Sequence, residues 1–102
     1  MTGKRAFSKL QFLESGFDAT QYVYNDEPGC FTAVIDCKRW ANNKLISYFT
    51  FDDGRKIVGV TWFGSNYLGL ADLPIGSCVE LEFRYSKSGK VNIQKVTPFN
   101  TK

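Results

Sequence analysis

The stretch LISYFTFDDGRKIVGVTWFG, Leu45 to Gly64, decides how this chain folds. From Leu45 to Phe51 the side chains alternate: Leu45, Ser47, Phe49 and Phe51 fall on one side, Ile46, Tyr48 and Thr50 on the other. That period of two belongs to a strand. Asp52-Asp53-Gly54 follows as a hairpin turn of the Asp-Gly type. Lys56–Phe63 then returns as a β-branched, aromatic strand. Gly59 inside it marks a bulge, a bend or the close approach of another backbone.

The same grammar extends outward on both sides. Upstream, Phe31–Arg39 reads as a strand with Phe31, Ala33, Ile35 and Cys37 on one face. Trp40–Lys44 is a turn, its Asn42-Asn43 suited to left-handed backbone. Downstream, Gly64–Gly76 breaks the alternation, and Ser65-Asn66-Tyr67-Leu68 fits one short helical turn closed off by Pro74 and Gly76. Val79–Lys87 is strictly amphipathic, with Val79, Leu81, Phe83 and Tyr85 inward and Glu80, Glu82, Arg84 and Ser86 outward. Ser88-Gly89 turns into Val91–Val96, which loses phase at Lys95-Val96 and ends at Pro98. Residues 1–29 match neither period. Tyr22-Val23-Tyr24 there suits an extra strand, and the segment is expected to pack on the main body, extending a sheet or covering an edge.

Composition narrows the chemistry. At 102 residues the chain is one domain, and its 43% hydrophobic content excludes disorder. There is no histidine, which removes imidazole bases, histidine–metal sites and triads built on them. Three cysteines without CxxC spacing, Cys30, Cys37 and Cys78, suit small buried side chains in a reducing compartment. No run approaches the ~18 apolar residues of a membrane span, and Met1–Leu10 lacks the apolar core of a signal peptide, so a cytoplasmic, non-membrane protein is expected. Asp52-Asp53-Gly54 lacks the alternating acids and terminal glutamate of a calcium loop. No phosphate loop or nucleophile elbow occurs, so no catalytic residue, metal or other cofactor is expected and the chain reads as a non-enzyme.

Five strands with an irregular or short helical link between the third and fourth follow the order of a Greek-key barrel. The local spelling agrees. LISYFTFDDGRKIVGVTWFG resembles the second and third strands of OB-fold modules, LPIGSCVELEFRY the step into their fourth, and SGKVNIQKV their closing turn and fifth. Over residues 30–98 the chain is thus similar to OB-fold single-stranded nucleic-acid-binding modules, such as those of replication protein A and of small phage or plasmid single-strand-binding proteins. The resemblance implies an all-β, five-stranded barrel, with residues 1–29 as an N-terminal extension and 99–102 as a tail.

It also implies a binding surface across the second and third strands, flanked by the loops joining strands one to two and four to five. On this chain the first loop carries Lys38, Arg39, Trp40, Asn42, Asn43 and Lys44, and the second carries Lys87, Ser88 and Lys90. Tyr48 and Trp62 are the strand aromatics. Charge distribution fits a polyanion: residues 30–102 hold ten basic side chains against six acidic, residues 1–29 three against four. Binding a flexible strand takes cations for phosphates and flat rings for bases. Lys38, Arg39, Lys44, Lys87 and Lys90 are expected to supply the first, and Trp40, Tyr48 and Trp62 the second. The plain alternative for Trp62 is a core ring, and for each lysine ordinary surface charge. Single-stranded DNA is the expected partner, in replication or strand protection, with a homodimer and contacts to replication or recombination proteins. RNA binding and a protein–protein interaction module within a larger complex are the alternatives.

Overall fold

The Asp-Gly hairpin forms as its residues require. Gly54 takes φ 95°, Phe51 and Arg55 close the turn through a 2.8 Å backbone hydrogen bond, and the Asp53 carboxylate accepts the Arg55 amide at 3.1 Å. The computed structural model describes residues 6–99. Lys4, Arg5 and the expected tail beyond Phe99 lie outside the described residues. Helix α1 spans Lys9–Glu14, and the strands are β1 (Val23–Tyr24), β2 (Gly29–Ala41), β3 (Lys44–Phe51), β4 (Lys56–Trp62), β5 (Cys78–Tyr85) and β6 (Val91–Pro98). No described helix is long and apolar enough to cross a membrane.

The chain is mostly β, in one six-stranded sheet of order β1-β4-β3-β2-β5-β6. Strand β2 is long because it serves two partners: its first half pairs with β5 and its second with β3, both antiparallel. The expected five-stranded closed barrel is not what forms. Val23 and Tyr24 add a sixth strand, parallel to Ile57 and Val58 of β4. No ladder joins β4 to β6 among the described residues, so the sheet curls without closing. Gly59 of β4 faces Ile93 of β6, and a methyl group there would overlap Ile93 Cδ1 and reach within 3.1 Å of Phe49 Cε2. The close approach expected at this glycine is therefore made by a side chain.

The sheet buries both faces. Inside the curl lie Ala33, Ile35, Leu45, Phe49, Phe51, Ile57, Leu70, Val79, Leu81, Phe83 and Ile93. On the outer face, Cys37, Ile46, Tyr48 and Val58 pack under Phe12 of α1, with Phe7, Phe17 and Tyr22 around them. The N-terminal arm is thus the lid of a second core. Its rings match neither period because one short helix and an extended run share the task. Ser8 and Gln11 form a reciprocal capping box that starts α1.

Three local expectations are corrected. The β2–β3 register slips between Ile35 and Cys37, a bulge that moves all later residues to the opposite face. Cys37 therefore enters the outer core, and Lys38 turns inward. Tyr85 is 64% exposed although its phase matches Val79, Leu81 and Phe83. The register explains it: Gly29, the first residue of β2, pairs with Phe83, so Tyr85 lies beyond the end of β2. The link between β4 and β5 contains short 3₁₀ turns, but Asn66, Tyr67 and Leu68 have φ of 54°, 55° and 53°. The turn expected there is left-handed. That backbone costs about 1–2 kcal/mol per non-glycine residue, so other contacts must hold it.

Candidate functional site

Strand β4 directs Val58, Val60 and Trp62 to one side, the ordinary alternation of a strand. These residues, with Gly59, form one wall of a cleft of about 710 Å³. Phe83, Tyr85, Val91 and Ile93 of the β5–β6 hairpin form the opposite wall, and Gly89 and Lys90 of its turn overhang one end. Tyr24, Asn25 and Asp26 complete the lining from the arm, and Lys44 from the start of β3. The volume lies within the range of small-ligand sites.

Three large rings stand at this cleft with most of their surface free: Tyr24 at 68%, Trp62 at 56% and Tyr85 at 64% exposed. Lys44 lies opposite Trp62 in the β3–β4 register and holds its Nζ 5.3 Å from the indole centre, a cation–π contact. Lys90 projects from the exposed β5–β6 turn. Two lysines thus face one acid, Asp26, which would repel a phosphate laid beside it. Asn25 is buried and fixes the turn after Tyr24: its side chain donates to the Glu27 carbonyl at 2.7 Å and accepts the Glu27 amide at 3.2 Å.

Of the side chains expected to bind, Lys44, Trp62 and Lys90 converge here. Lys87 is exposed on the same turn without lining the cleft. The other four lie elsewhere. Lys38 is 0% exposed, and its Nζ donates to the carbonyls of Leu70 at 2.8 Å, Ala71 at 3.5 Å and Leu73. It is a tie for the chain that follows the left-handed turn, out of reach of a phosphate. Arg39, sent to the outer face by the bulge, sits 5.2 Å over the Phe12 ring. Trp40 is half-buried, edge-on to Tyr67 at 5.1 Å and packed on the inner core. Tyr48 is 4% exposed, enclosed by Phe12, Phe17 and Tyr22 at centroid distances of 5.4, 5.2 and 5.3 Å. It anchors the arm and offers no face to a base. Arg55 bridges Glu27 at 3.1 Å and Asp53 at 2.9 Å.

Sequence reasoning missed Tyr24 and Tyr85. Tyr24 had a signal, the Tyr22-Val23-Tyr24 strand, but nothing local says which strand it joins.

A second polar cluster centres on Asp36 of β2. Asp36, the bulged residue of β2, accepts the Tyr22 hydroxyl at 2.8 Å and the Thr50 hydroxyl. Lys56 donates to Thr50 Oγ1 at 3.3 Å and lies 5.4 Å from the Tyr22 ring centre. Burial, and then the hydrogen bond to Asp36, push the Tyr22 hydroxyl up to about 12. No three His, Cys, Asp or Glu side chains gather as metal ligands among the described residues. No family model, curated protein or solved structure matches the chain.

Proposed function

We propose that this chain is a non-enzymatic, OB-type single-stranded DNA-binding protein with little sequence preference, acting in replication or strand protection. The observation that carries the reading is the cleft: three exposed rings, Tyr24, Trp62 and Tyr85, with Lys44 and Lys90 at its rim. Unstacked bases would lie on the rings, each worth about 1–3 kcal/mol by truncation, while the lysines neutralise phosphates. Further support comes from the strand order β4-β3-β2-β5-β6, the neighbour order of an OB barrel with one seam unpaired. The cleft runs along that seam, between the loops such modules use. Backbone-independent stacking explains the lack of sequence preference, since every base has a π-face.

The test is Trp fluorescence during titration with oligo(dT) at low salt, with a duplex of equal length as control. Single-strand quenching should come mainly from Trp62 and disappear in Trp62→Ala, because Trp40 is packed inside. Affinity should fall with salt at a log–log slope of about −1.4, from two phosphate contacts at roughly −0.7 each. Lack of quenching by the single strand sinks the proposal. Binding of oligo(rU) in preference to oligo(dT) would move the assignment to RNA. A salt-insensitive partner surface would move it to protein–protein interaction.

A further inference from the structure

The arm does more than cover the outer core, because it carries one of the cleft's three rings. Residues 7–22 dock on the sheet, and the chain then runs directly into Val23 and Tyr24, whose register partners are Ile57 and Val58 of β4. Phe7 begins the docking: its amide donates to the Lys38 carbonyl at 3.1 Å, and its carbonyl accepts the Trp40 amide at 2.6 Å. Tyr22 ends it. Its hydroxyl donates to Asp36 Oδ2 at 2.8 Å, and its ring meets Tyr48 edge-on and lies beneath Lys56. Only Val23 separates this anchor from Tyr24.

We infer that Tyr22 is a positioning residue for the cleft: by latching the arm to Asp36, Thr50 and Lys56 it sets Tyr24 as the third ring of the binding surface. The inference rests on the nucleic-acid reading above and names how that site is assembled. Two residues on a strand point to opposite faces when adjacent and to one face at a spacing of two. Tyr22 lies just before β1 with the same extended backbone, φ −102° and ψ 137°, so it and Tyr24 share a side, and fixing the first fixes the direction of the second. Arm docking and strand binding then become coupled, since affinity for the complete cleft scales with the fraction of molecules whose arm is docked.

The coupling has a ceiling. Releasing the arm can remove no more affinity than Tyr24 itself supplies, which for one stacked base is roughly 5- to 150-fold. Tyr22→Ala should weaken oligo(dT) binding toward the level of Tyr24→Ala, and the double variant Tyr22→Ala/Tyr24→Ala should bind no worse than Tyr24→Ala. Combined with Tyr85→Ala, Tyr22→Ala should instead multiply the loss. A residue that only supports the fold would weaken both backgrounds alike, which overturns the inference, as does Tyr22→Ala affinity equal to wild type.

Tyr22→Phe, which keeps the ring and removes only the hydroxyl, guards against a misfolded alanine variant. It should speed hydrogen exchange at the β1 amide that donates across the β1–β4 ladder by about tenfold, the loss of one hydrogen bond, while the β2–β5 ladder stays unchanged. Unchanged exchange at that amide overturns the latch. Wild-type protein that fails to bind oligo(dT) overturns the function and this role with it. Wild-type binding combined with Tyr22 effects independent of Tyr24 overturns this role alone.

Discussion

Replacing Lys38 with methionine separates the two roles open to that side chain. As a phosphate contact, its loss would weaken oligonucleotide binding and leave the fold alone. The structure puts it to a different use. Its Nζ donates to Leu70 O at 2.8 Å and to Leu73 O, with Ala71 O at 3.5 Å. These carbonyls follow directly on the left-handed run Asn66–Gly69, and Leu70 is itself fully buried. Methionine fills nearly the same volume but leaves Leu70 and Leu73 without that donor. Leu70 O keeps the Leu73 amide at 3.2 Å, but two hydrogen bonds from a charged donor are lost, each worth about 1.5–3 kcal/mol, or about 3–6 kcal/mol together. Methionine also sheds the desolvation cost of the lysine head group, which offsets part of this. The net expectation is a loss of about 2–3 kcal/mol. At about 4–8 °C per kcal/mol for a domain of this size, Tm should drop by roughly 8–24 °C.

Urea and thermal unfolding followed by Trp fluorescence measure this directly, since Trp40 packs against Tyr67 in the same turn. Affinity for oligo(dT), taken well below the lowered Tm, should stay within about twofold of wild type, a change of ~0.4 kcal/mol. Stability within about 0.5 kcal/mol of wild type, an ordinary surface effect, together with a clear fall in affinity, would refute the reasoning and return Lys38 to the phosphate.

Three further outcomes follow from other parts of the molecule. Gly59→Val should destabilise by roughly 1–3 kcal/mol through overpacking against Ile93 and Phe49. Adding Ile93→Ala should make the pair less harmful than the sum of its parts in urea unfolding, and strict additivity would remove the contact from the account. Native-state alkylation read by peptide mass spectrometry should label the exposed Cys30 first and Cys37 last, because Cys37 is buried and burial raises its thiol above the ordinary value; equal rates would contradict the outer core. The Tyr22 hydroxyl, at about 12 against an ordinary 10.0, holds its proton more tightly folded than unfolded. Its contribution to stability is complete below pH 10.0 and is lost as pH rises through about 12, so the urea midpoint should fall over that window. Tyr22→Phe should flatten the fall, and an identical slope in both proteins would mean other groups dominate.

What was legible in the sequence, and what was not, divides along physical lines. The hairpin through Asp52-Asp53-Gly54 and the amphipathic run from Val79 to Phe83 were legible because one strand's alternation reports its own buried face. The phase loss near Lys95-Val96 was legible too, and it corresponds to a register slip beside Ile93. The bulge at Asp36 was not. It adds one residue without any glycine or proline to mark it, yet it exchanges the faces of Cys37, Lys38, Arg39 and Trp40. Three expected binding residues were displaced by that single slip. Tyr48 was lost for another reason: its face is covered by an arm whose rings have no periodicity of their own.

The cleft rings expose a limit of a different kind. Trp62, Tyr85 and Tyr24 all stand at the ends of strands, and there exposure depends on where the neighbouring strand stops. Tyr85 is apolar in phase but lies past Gly29, the first residue of β2. Trp62 follows Val58 and Val60 in phase, yet it is the final residue of β4. Tyr24 ends a two-residue strand that gains its place only by pairing with β4. Alternation within a strand cannot report the length of its partner, so a binding surface built from strand ends is nearly silent in sequence. Register supplies what alternation lacks. Lys44 and Trp62, joined as register partners across β3 and β4, mark where the ends of the sheet come together to make a site.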